Sequence, residues 1–424
     1  MSTTAESGVR TSDGRTYAAV TAAYWAFTLT DGALRMLVLL HFHRLGFTPL
    51  DIAVLFLLYE AMGIVTNFLG GWIGARYGLK ITLFSGLAVQ IAALLMLSQT
   101  DPAWTMLFSV GFVMTAQALS GIAKDLTKMS SKSAVKLVVA SEAEGLLFKW
   151  VAILTGSKNA LKGVGFLLGG VMLQWLDFAP SLYLMAGMLA VVLVASLLTV
   201  TADLGKAKQK IAKRDLFAKS REINFLSAAR IFLFASRDVW FVVGVPVFLY
   251  DRLGWSFDRV GLFMAIWVVG YGIVQAAVPR FLRNTRDAGG AARGAALWGG
   301  LLALLPALIA AGLTPDLLPA PPLPAPSVIL IGGLLIFGVV FAVNSALHSY
   351  LIVAYSDADK VALNVGFYYM ANAVGRFAGT LLSGLVYQLA GLTATLWVSA
   401  GMVAVAVLFT LPLLASRPEA MQKP

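Results

Sequence analysis

Long apolar segments run through most of the chain, separated by short polar breaks and by proline. A helix that spans a membrane needs about 20 mostly apolar residues, and twelve segments meet that requirement. Breaks such as Asp101-Pro102, Ala179-Pro180 and the proline-rich stretch 315–326 divide them. The pattern predicts an all-α membrane protein with twelve transmembrane helices. The predicted spans are 17–42, 49–75, 80–99, 103–123, 147–174, 180–201, 223–249, 257–279, 294–313, 327–352, 361–389 and 392–414.

The two halves of the sequence repeat. Arg44–Thr48 reads RLGFT and Arg252–Ser256 reads RLGWS, 208 positions later. Asp31 precedes the first block by 13 residues and Asp238 precedes the second by 14. A repeat of six spans plus six around a basic centre resembles the major facilitator superfamily, which implies two bundles that rock about a site near the midplane. The predicted division is an N-terminal bundle over 1–200, a cytoplasmic linker over 201–222 and a C-terminal bundle over 223–424.

The distribution of basic residues predicts the orientation in the membrane. With the N-terminus on the cytoplasmic side, 22 of the 32 Lys and Arg residues fall in cytoplasmic segments. Only Arg44, Arg252 and Arg259 fall on the opposite side. Because short cytoplasmic loops are enriched in Lys and Arg, both termini are expected in the cytoplasm. The expected location is the inner membrane of a bacterium, with the first helix retained as an anchor.

Composition narrows the class of protein. Charged residues make up 12% of the chain and hydrophobic residues 59%, whereas soluble domains carry about 25% charged residues. The basic residues are scattered over many short loops, which argues against a nucleic-acid partner. The absence of cysteine excludes thiolate metal sites and thiol chemistry. No cofactor, metal site or enzymatic activity is expected, and the protein is expected to be a monomer in the bilayer.

Apart from Asp51, Lys80, Asp258 and Arg259 at the starts of spans, ten charged residues lie inside the predicted spans, and they do not balance. Seven are basic and three are acidic, which leaves four net positive charges. A charge at mid-bilayer costs about 2.5–3.5 kcal/mol even on the lenient scale, so such residues normally face a water-filled cavity or a partner. The surplus predicts a cavity for an anion. The charged residues are Arg35, Lys149, Lys158, Lys162, Arg230, Arg237, Arg376, Asp31, Glu60 and Asp238.

The spacing of these residues indicates which of them face the cavity. Lys158 and Lys162 are four apart and share one helix face, and Arg230 and Arg237 are seven apart. Lys149 could instead extend to the cytoplasmic surface, and Arg35 could pair with Asp31. Arg230 could reach a cytoplasmic vestibule. The predicted substrate-binding residues are Lys158, Lys162, Arg237, Arg376, Arg35, Arg230, Asn159, Asn344, His348, Tyr368 and Asn372.

Three acids are candidates for proton coupling, namely Asp31, Glu60 and Asp238. An acid within a span is protonated, paired with a cavity cation or engaged in proton transfer, and the sequence leaves these alternatives open. His348 has an alternative role as a packed polar residue.

The loop after the second span resembles the gating signature of the superfamily. The sequence 71–80 reads GWIGARYGLK. Gly71, Arg76, Gly78 and Lys80 match the signature, whereas Ala75 replaces its acid. The six residues 165–170 read GFLLGG and resemble an antiporter element without its proline. Ordinary packing of small residues between helices is the alternative interpretation.

Three further stretches resemble the ArsJ-type organoarsenical efflux permeases of bacteria. They are 31–49, 121–133 and 147–163. The resemblance implies export of 1-arseno-3-phosphoglycerate, which a glyceraldehyde-3-phosphate dehydrogenase makes from arsenate. The substrate would be a multivalent anion with oxygen-bound pentavalent arsenic, which needs cations and no thiolate.

Two other functions stay open at this stage. An organophosphate, phosphate or other organic-anion exchanger of the same fold would use the same basic cavity. A membrane-embedded enzyme or lipid flippase is disfavoured, because the sequence shows no metal cluster and no nucleophile constellation. Export of lipophilic cations is disfavoured because a positive cavity repels them.

Overall fold

The structure is a computed structural model that describes residues 3–138, 144–200, 220–281, 288–314, 326–356 and 361–415. Within these ranges the chain forms helices joined by short connections, as the hydropathy pattern predicts. The helices are α1 (Thr3–Arg44), α2 (Pro49–Leu97), α3 (Met106–Val138), α4 (Glu144–Trp175), α5 (Phe178–Thr199), α6 (Arg221–Phe241), α7 (Gly244–Asp251), α8 (Phe257–Phe281), α9 (Ala288–Gly312), α10 (Pro326–Ala354) and α11 (Val361–Thr410). A short 3₁₀ helix, Leu411–Leu414, follows α11.

The twelve predicted spans map onto these helices. Two helices each hold two spans, because α2 bends at Gly78 and α11 bends at Gly391. One span is divided between α6 and α7 by a break at Val242 and Val243. Nine helical stretches of the described chain are long and apolar enough to cross a membrane, and α1 and α4 are not among them. These two helices hold five of the ten charged residues inside the predicted spans, namely Asp31, Arg35, Lys149, Lys158 and Lys162.

The break between α6 and α7 explains the unequal spacing in the repeat. Helix α1 is continuous from Asp31 to Arg44, whereas the matching path from Asp238 to Arg252 crosses the break. The broken span therefore holds one more residue than its counterpart. The sequence repeat is thus a repeat of structure.

The helices form two bundles. Within the first, α1 packs on α4 and α2 packs on α3, and within the second α6 packs on α11. Two helix pairs join the bundles, namely α2 with α11 and α4 with α8. The predicted linker 201–222 falls largely outside the described residues, so the division into 1–200 and 223–424 stays a prediction.

Glycines set the close contacts that the site depends on. A Cβ at Gly165 or Gly169 would collide with the backbone of α1 at Leu29 or Ala33. In the second bundle Gly375 lies in the same way against Ile231 of α6. The residues 165–170 therefore serve helix packing, as small residues do in membranes. This contact brings the face of α4 that carries Lys162 next to α1.

The bend at position 78 requires glycine, and this requirement can be tested. Gly78 has φ 74° and ψ 179°, a region that is essentially restricted to glycine and costs other residues about 1–3 kcal/mol. We expect Gly78→Ala to lower unfolding free energy by that amount, as measured by unfolding of the purified protein in detergent. Gly187→Ala is the matched control, because a Cβ there meets nothing within 4 Å. Equal stability of both variants would contradict the assignment.

Candidate functional site

A polar cavity lies between the two bundles and has two connected lobes. The N lobe has a volume of about 150 Å³ and is lined mainly by α1, α2, α3 and α11. The C lobe has a volume of about 210 Å³ and is lined mainly by α4, α6, α8 and α11. Each lobe is smaller than the roughly 300–1,000 Å³ of sites for drug-sized ligands. The residues common to both lobes are Lys158, Lys162, Tyr369, Asn372 and Arg376.

Cations outnumber acids in this lining. Among the described residues, eight Lys and Arg side chains and four carboxylates line the two lobes. The cavity therefore keeps a positive surplus even when every acid is ionised. The cations are Arg35, Lys124, Lys128, Lys158, Lys162, Arg230, Arg237 and Arg376, and the acids are Asp31, Glu60, Asp125 and Asp238.

Arg376 connects the two bundles at the junction of the lobes. Its Nη2 atom donates to Glu60 Oε1 at 2.6 Å. Its Nε atom lies 3.5 Å from Asp238 Oδ2, an electrostatic contact without a hydrogen bond. Glu60 belongs to α2 of the first bundle, and Asp238 belongs to α6 of the second. Arg376 therefore interacts with one acid from each bundle.

Glu60 is held by two arginines. Arg35 Nη2 donates to the same Oε1 atom at 2.6 Å, and Glu60 is 1% exposed. Arg35 also lies over the rings of Phe56 and Tyr59, at 5.1 and 5.3 Å from their centroids. A buried carboxylate is tolerated only when it is paired and hydrogen-bonded. The alternative pairing of Arg35 with Asp31 is therefore not the contact that the structure shows.

The other two predicted coupling acids have different partners. Asp31 accepts a hydrogen bond of 2.6 Å from the Tyr59 hydroxyl and lies 4.0 Å from Lys162 Nζ. Asp238 Oδ1 accepts from Arg237 Nε at 2.7 Å and forms an ion pair with its Nη2 at 2.5 Å. Side chains at adjacent helix positions project about 100° apart, but the arginine side chain is long enough to reach the carboxylate of its neighbour.

Helix α3 supplies charged residues that the sequence analysis did not assign to the site. Lys124 and Lys128 follow the end of the predicted span 103–123, whereas α3 continues to Val138. Lys128 Nζ donates to Asp125 Oδ1 at 2.9 Å and to Asn67 Oδ1 at 2.6 Å. Asp125 also accepts from the Thr66 hydroxyl. The sequence feature that could have identified these lysines is their four-residue spacing, with Asp125 next to Lys124.

Most of the predicted binding residues, and all three predicted coupling acids, line the cavity. Asn159 lines the C lobe and its amide lies 3.4 Å from Gln275 Oε1. Arg230 also lines the C lobe, and it donates to Ser345 Oγ at 3.0 Å. The residues that line at least one lobe are Lys158, Lys162, Arg237, Arg376, Arg35, Arg230, Asn159, Asn372, Asp31, Glu60 and Asp238.

Three predicted residues lie behind the cavity wall. Asn344 donates to the carbonyl of Ala295 on α9 at 2.7 Å. His348 is 1% exposed and lines neither lobe. Tyr368 is equally buried, and its ring centroid lies 4.8 Å from the guanidinium of Arg230. These residues can act on the cavity only through their neighbours.

Several other predicted residues are placed only in part. The surroundings of Gly71 and the side chains of Arg76 and Lys149 lie outside the described part of the structure. Gly78 forms the bend in α2, and Lys80 begins the helical segment after it, 6.0 Å from the ring centroid of Phe84. Within the described ranges no three His, Asp or Glu side chains converge as a metal site would require.

One end of the molecule is closed across the bundles. We call it the His43 end, where α1 and α7 finish and α2 and α8 begin. His43 Nε2 lies 2.8 Å from Asp251 Oδ1, and the Leu50 N–H donates to Gln388 Oε1 at 3.0 Å. Nearby, the hydrogen bond from Arg44 holds the pKa of the Asp177 carboxyl below its ordinary value.

Glycines complete the closure at the His43 end. A Cβ at Gly384 of α11 would collide with Pro49 and Ala53 of α2. A Cβ at Gly170 of α4 would collide with the Phe257 carbonyl of α8. Both helix pairs that join the bundles are therefore in backbone contact at this end. A cavity with one sealed end corresponds to one state of an alternating-access cycle.

Known structures share this architecture. A POT family transporter in complex with 5-aminolevulinic acid has a TM-score of 0.71 at 14% identity, with 95% of this chain and 96% of that chain covered. A mutant of the nucleoside transporter NupG gives 0.70 at 16% identity, with 95% and 99% covered. A bacterial homologue of the iron transporter ferroportin, in an inward-facing state, gives 0.66 at 16% identity, with 95% and 99% covered.

Sequence comparison gives the family directly. No curated protein matches the sequence significantly. The family profile described as Major Facilitator Superfamily matches residues 17–314, well over half of the chain. With the helical architecture and the repeat, this match confirms the predicted fold class. The protein is a multi-pass membrane transporter of the Major Facilitator Superfamily.

Proposed function

We propose that the protein is a secondary active exporter of a small organic anion that carries phosphate or arsenate groups. The observation that carries this proposal is the excess of eight cations over four carboxylates in the cavity between the bundles. Arg presents a planar fork to oxyanions and Lys presents a compact charge. An anion that enters such a cavity would neutralise charges that are costly to bury.

The first candidate substrate is 1-arseno-3-phosphoglycerate. Each of the three stretches that resemble organoarsenical permeases contributes to the cavity lining: 31–49 through Arg35, 121–133 through Lys128, and 147–163 through Lys162. The substrate would be made by a glyceraldehyde-3-phosphate dehydrogenase. Its arsenic is bound by oxygen, so a cysteine-free cavity suits it. Export of this compound would confer resistance to arsenate.

An exchanger of phosphate esters is the second candidate. The same cations would bind a phosphate group, because arsenate and phosphate are both tetrahedral oxyanions. The resemblance of the three stretches favours the arsenical. The proposed setting is a bacterial inner membrane with both termini in the cytoplasm, so the His43 end would face outward.

Everted membrane vesicles test substrate and direction together. Arsenic should accumulate without ATP, and only when arsenate, glyceraldehyde-3-phosphate, the dehydrogenase and NAD are all present. Equal accumulation of plain phosphate esters would favour the second candidate. Turnover of substrate without movement across the membrane would contradict transport altogether.

The lysines of α4 provide a direct test of the cavity. We expect Lys158→Ala and Lys162→Ala each to reduce vesicle transport by about 10²-fold, since a buried charged contact is worth about 2–5 kcal/mol when truncated. Arg259→Ala removes an equal charge from an exposed position near the His43 end and should transport like the wild type. If both lysine variants transport at the wild-type rate, the lysines of α4 do not contribute to the site.

The acids can be separated from the binding residues by their response to a pH gradient. We propose that Asp31, Glu60 or Asp238 carries the coupling proton, if a proton drives transport. Whichever of Asp31→Asn and Glu60→Gln lacks the carrier should then transport down a substrate gradient but lose acceleration by an imposed pH gradient. If both variants keep full acceleration, neither acid carries the proton.

A further inference from the structure

Helix α3 places two lysines in the N lobe that are not among the binding residues predicted from the sequence. Lys124 and Lys128 are four residues apart, so they project from one face of the helix. Both line the N lobe, as does Ser131 on the next turn. Helix α2 forms the opposite wall with Gly63 and Asn67. Both bundles contribute here, because Lys128 Nζ lies 5.7 Å from the ring centroid of Tyr369 on α11.

The local charges are arranged to leave one cation surplus. Asp125 is fully buried, and its carboxylate accepts from Lys128 and from the Thr66 hydroxyl. Asn67 fixes Lys128 from the other side and donates its own amide to the Gly63 carbonyl at 2.6 Å. Asp125 is therefore one carboxylate beside two lysines, Lys124 and Lys128. The second nearby acid, Glu60, is already bound by Arg35 and Arg376.

Lys124 has the environment of an anion-binding lysine. Its ammonium lies 4.0 Å from the ring centroid of Tyr59, so an aromatic face supports the charge. A Cβ at Gly63 would lie 3.4 Å from Lys124 Nζ. The absence of a side chain at Gly63 keeps the space beside the ammonium open. Each lysine ammonium is a compact charge with three donors, and two of them together can bind a small tetrahedral oxyanion.

We propose that Lys124 and Lys128 form a separate anion-binding subsite in the N lobe, which takes a tetrahedral oxyanion such as phosphate or arsenate. Asp125 and Asn67 are positioning residues that hold Lys128. The subsite rests on the proposed function in one respect, namely that the oxyanion belongs to the transported molecule. Lys158, Lys162 and Arg376 line both lobes and would contact the rest of that molecule.

Binding of inorganic phosphate to the purified full-length protein tests the subsite. Phosphate should raise the unfolding temperature at constant ionic strength, because a ligand that binds only the folded state stabilises it. Lys124→Ala and Lys128→Ala should each weaken the apparent phosphate affinity by about tenfold, or about 1.4 kcal/mol. Lys128→Arg should retain most of the affinity. Arg259→Ala is the control and should bind like the wild type.

A second measurement needs no variant. Phosphate should protect Lys124 and Lys128 of the wild type from an acylating reagent, as quantified by mass spectrometry, and chloride should not. The subsite is overturned if phosphate neither stabilises nor protects the wild type, or if both alanine variants bind phosphate normally. Failure of arsenical transport in vesicles, with phosphate binding lost in the lysine variants, would reject the substrate and keep the subsite.

Asp125 needs its own readout, because a positioning residue and a merely structural one both destabilise when lost. Asp125→Asn should weaken phosphate binding, and Asp125→Glu should restore it by returning the carboxylate. If Asp125→Asn binds phosphate with wild-type affinity, the positioning role is excluded.

Discussion

Replacement of Arg376 by alanine is expected to abolish transport while the protein still folds and inserts. Arg376 lies between Glu60 and Asp238, and it lines both lobes. Removal of one partner from a buried ion pair typically costs about 3–5 kcal/mol, because the other charge is left uncompensated. Here each acid keeps a second arginine, Arg35 for Glu60 and Arg237 for Asp238. The loss of stability should therefore be smaller than that range.

Function should be affected far more than stability. Without Arg376 the acids of the two bundles lose their shared cation, and the substrate loses a guanidinium at the junction of the lobes. We expect vesicle transport to fall by at least about 10²-fold, or about 2.7 kcal/mol. Arg376→Lys should recover only part of it, because a point charge cannot reproduce the planar fork.

The control for Arg376 is a residue of equal charge outside the cavity. Arg259→Ala serves, because Arg259 is exposed near the start of α8. Purified Arg376→Ala should be monodisperse in detergent and close to the wild type in unfolding temperature. Wild-type transport by this variant would show that Arg376 contributes only to packing, and it would remove the junction from the proposed site.

The number of spans and their approximate ends could be predicted from sequence for a physical reason. In lipid every backbone polar group must be satisfied internally, so apolar length predicts helices directly. The bends at Gly78 and Gly391 fall in the short gaps between consecutive predicted spans. The break at Val242 and Val243 has no comparable signal, since both residues are apolar. Only the extra residue in the repeat indicated it.

The sequence predicted the net positive charge of the cavity, but it did not predict which charged side chains contact each other. Charge spacing on one helix identified Lys158 and Lys162, but it could not show that Arg35 interacts with Glu60, 25 residues away. Such pairings depend on how helices approach one another. Lys124 and Lys128 were missed because basic residues near the end of a span look like loop residues. Their spacing alone could not show that α3 turns them inward.

The repeat contained one further piece of information. His43 and Asp251 are 208 positions apart, the same spacing as the two RLG blocks. They are therefore equivalent positions of the two bundles, and they contact each other at the His43 end. Equivalent residues can meet only near the axis that relates the bundles. The sequence could have located this axis, although it could not show that the end is closed.

Leucine at Gly384 or Gly170 is expected to hold the His43 end open. A side chain at Gly384 would collide with Pro49 and Ala53, and one at Gly170 would collide with Phe257. Overpacking costs about 1–3 kcal/mol, which corresponds to a population shift of about 5–150-fold. The exposed His43–Asp251 pair is worth only about 0–1 kcal/mol, so His43→Ala should shift the population much less than either leucine.

A single introduced thiol reports this shift, because the chain contains no cysteine. Phe241→Cys places the thiol in the C lobe, on α6 near its break. A membrane-impermeant maleimide added from the His43 side should label it faster in Gly384→Leu and Gly170→Leu, and both variants should lose transport. Gly187→Leu is the control, since that position has nothing within 4 Å of its Cβ. Normal transport with unchanged labelling in both leucine variants would show that these contacts do not seal the cavity. Loss of transport together with faster labelling would show that the chain must close at this end to complete its cycle.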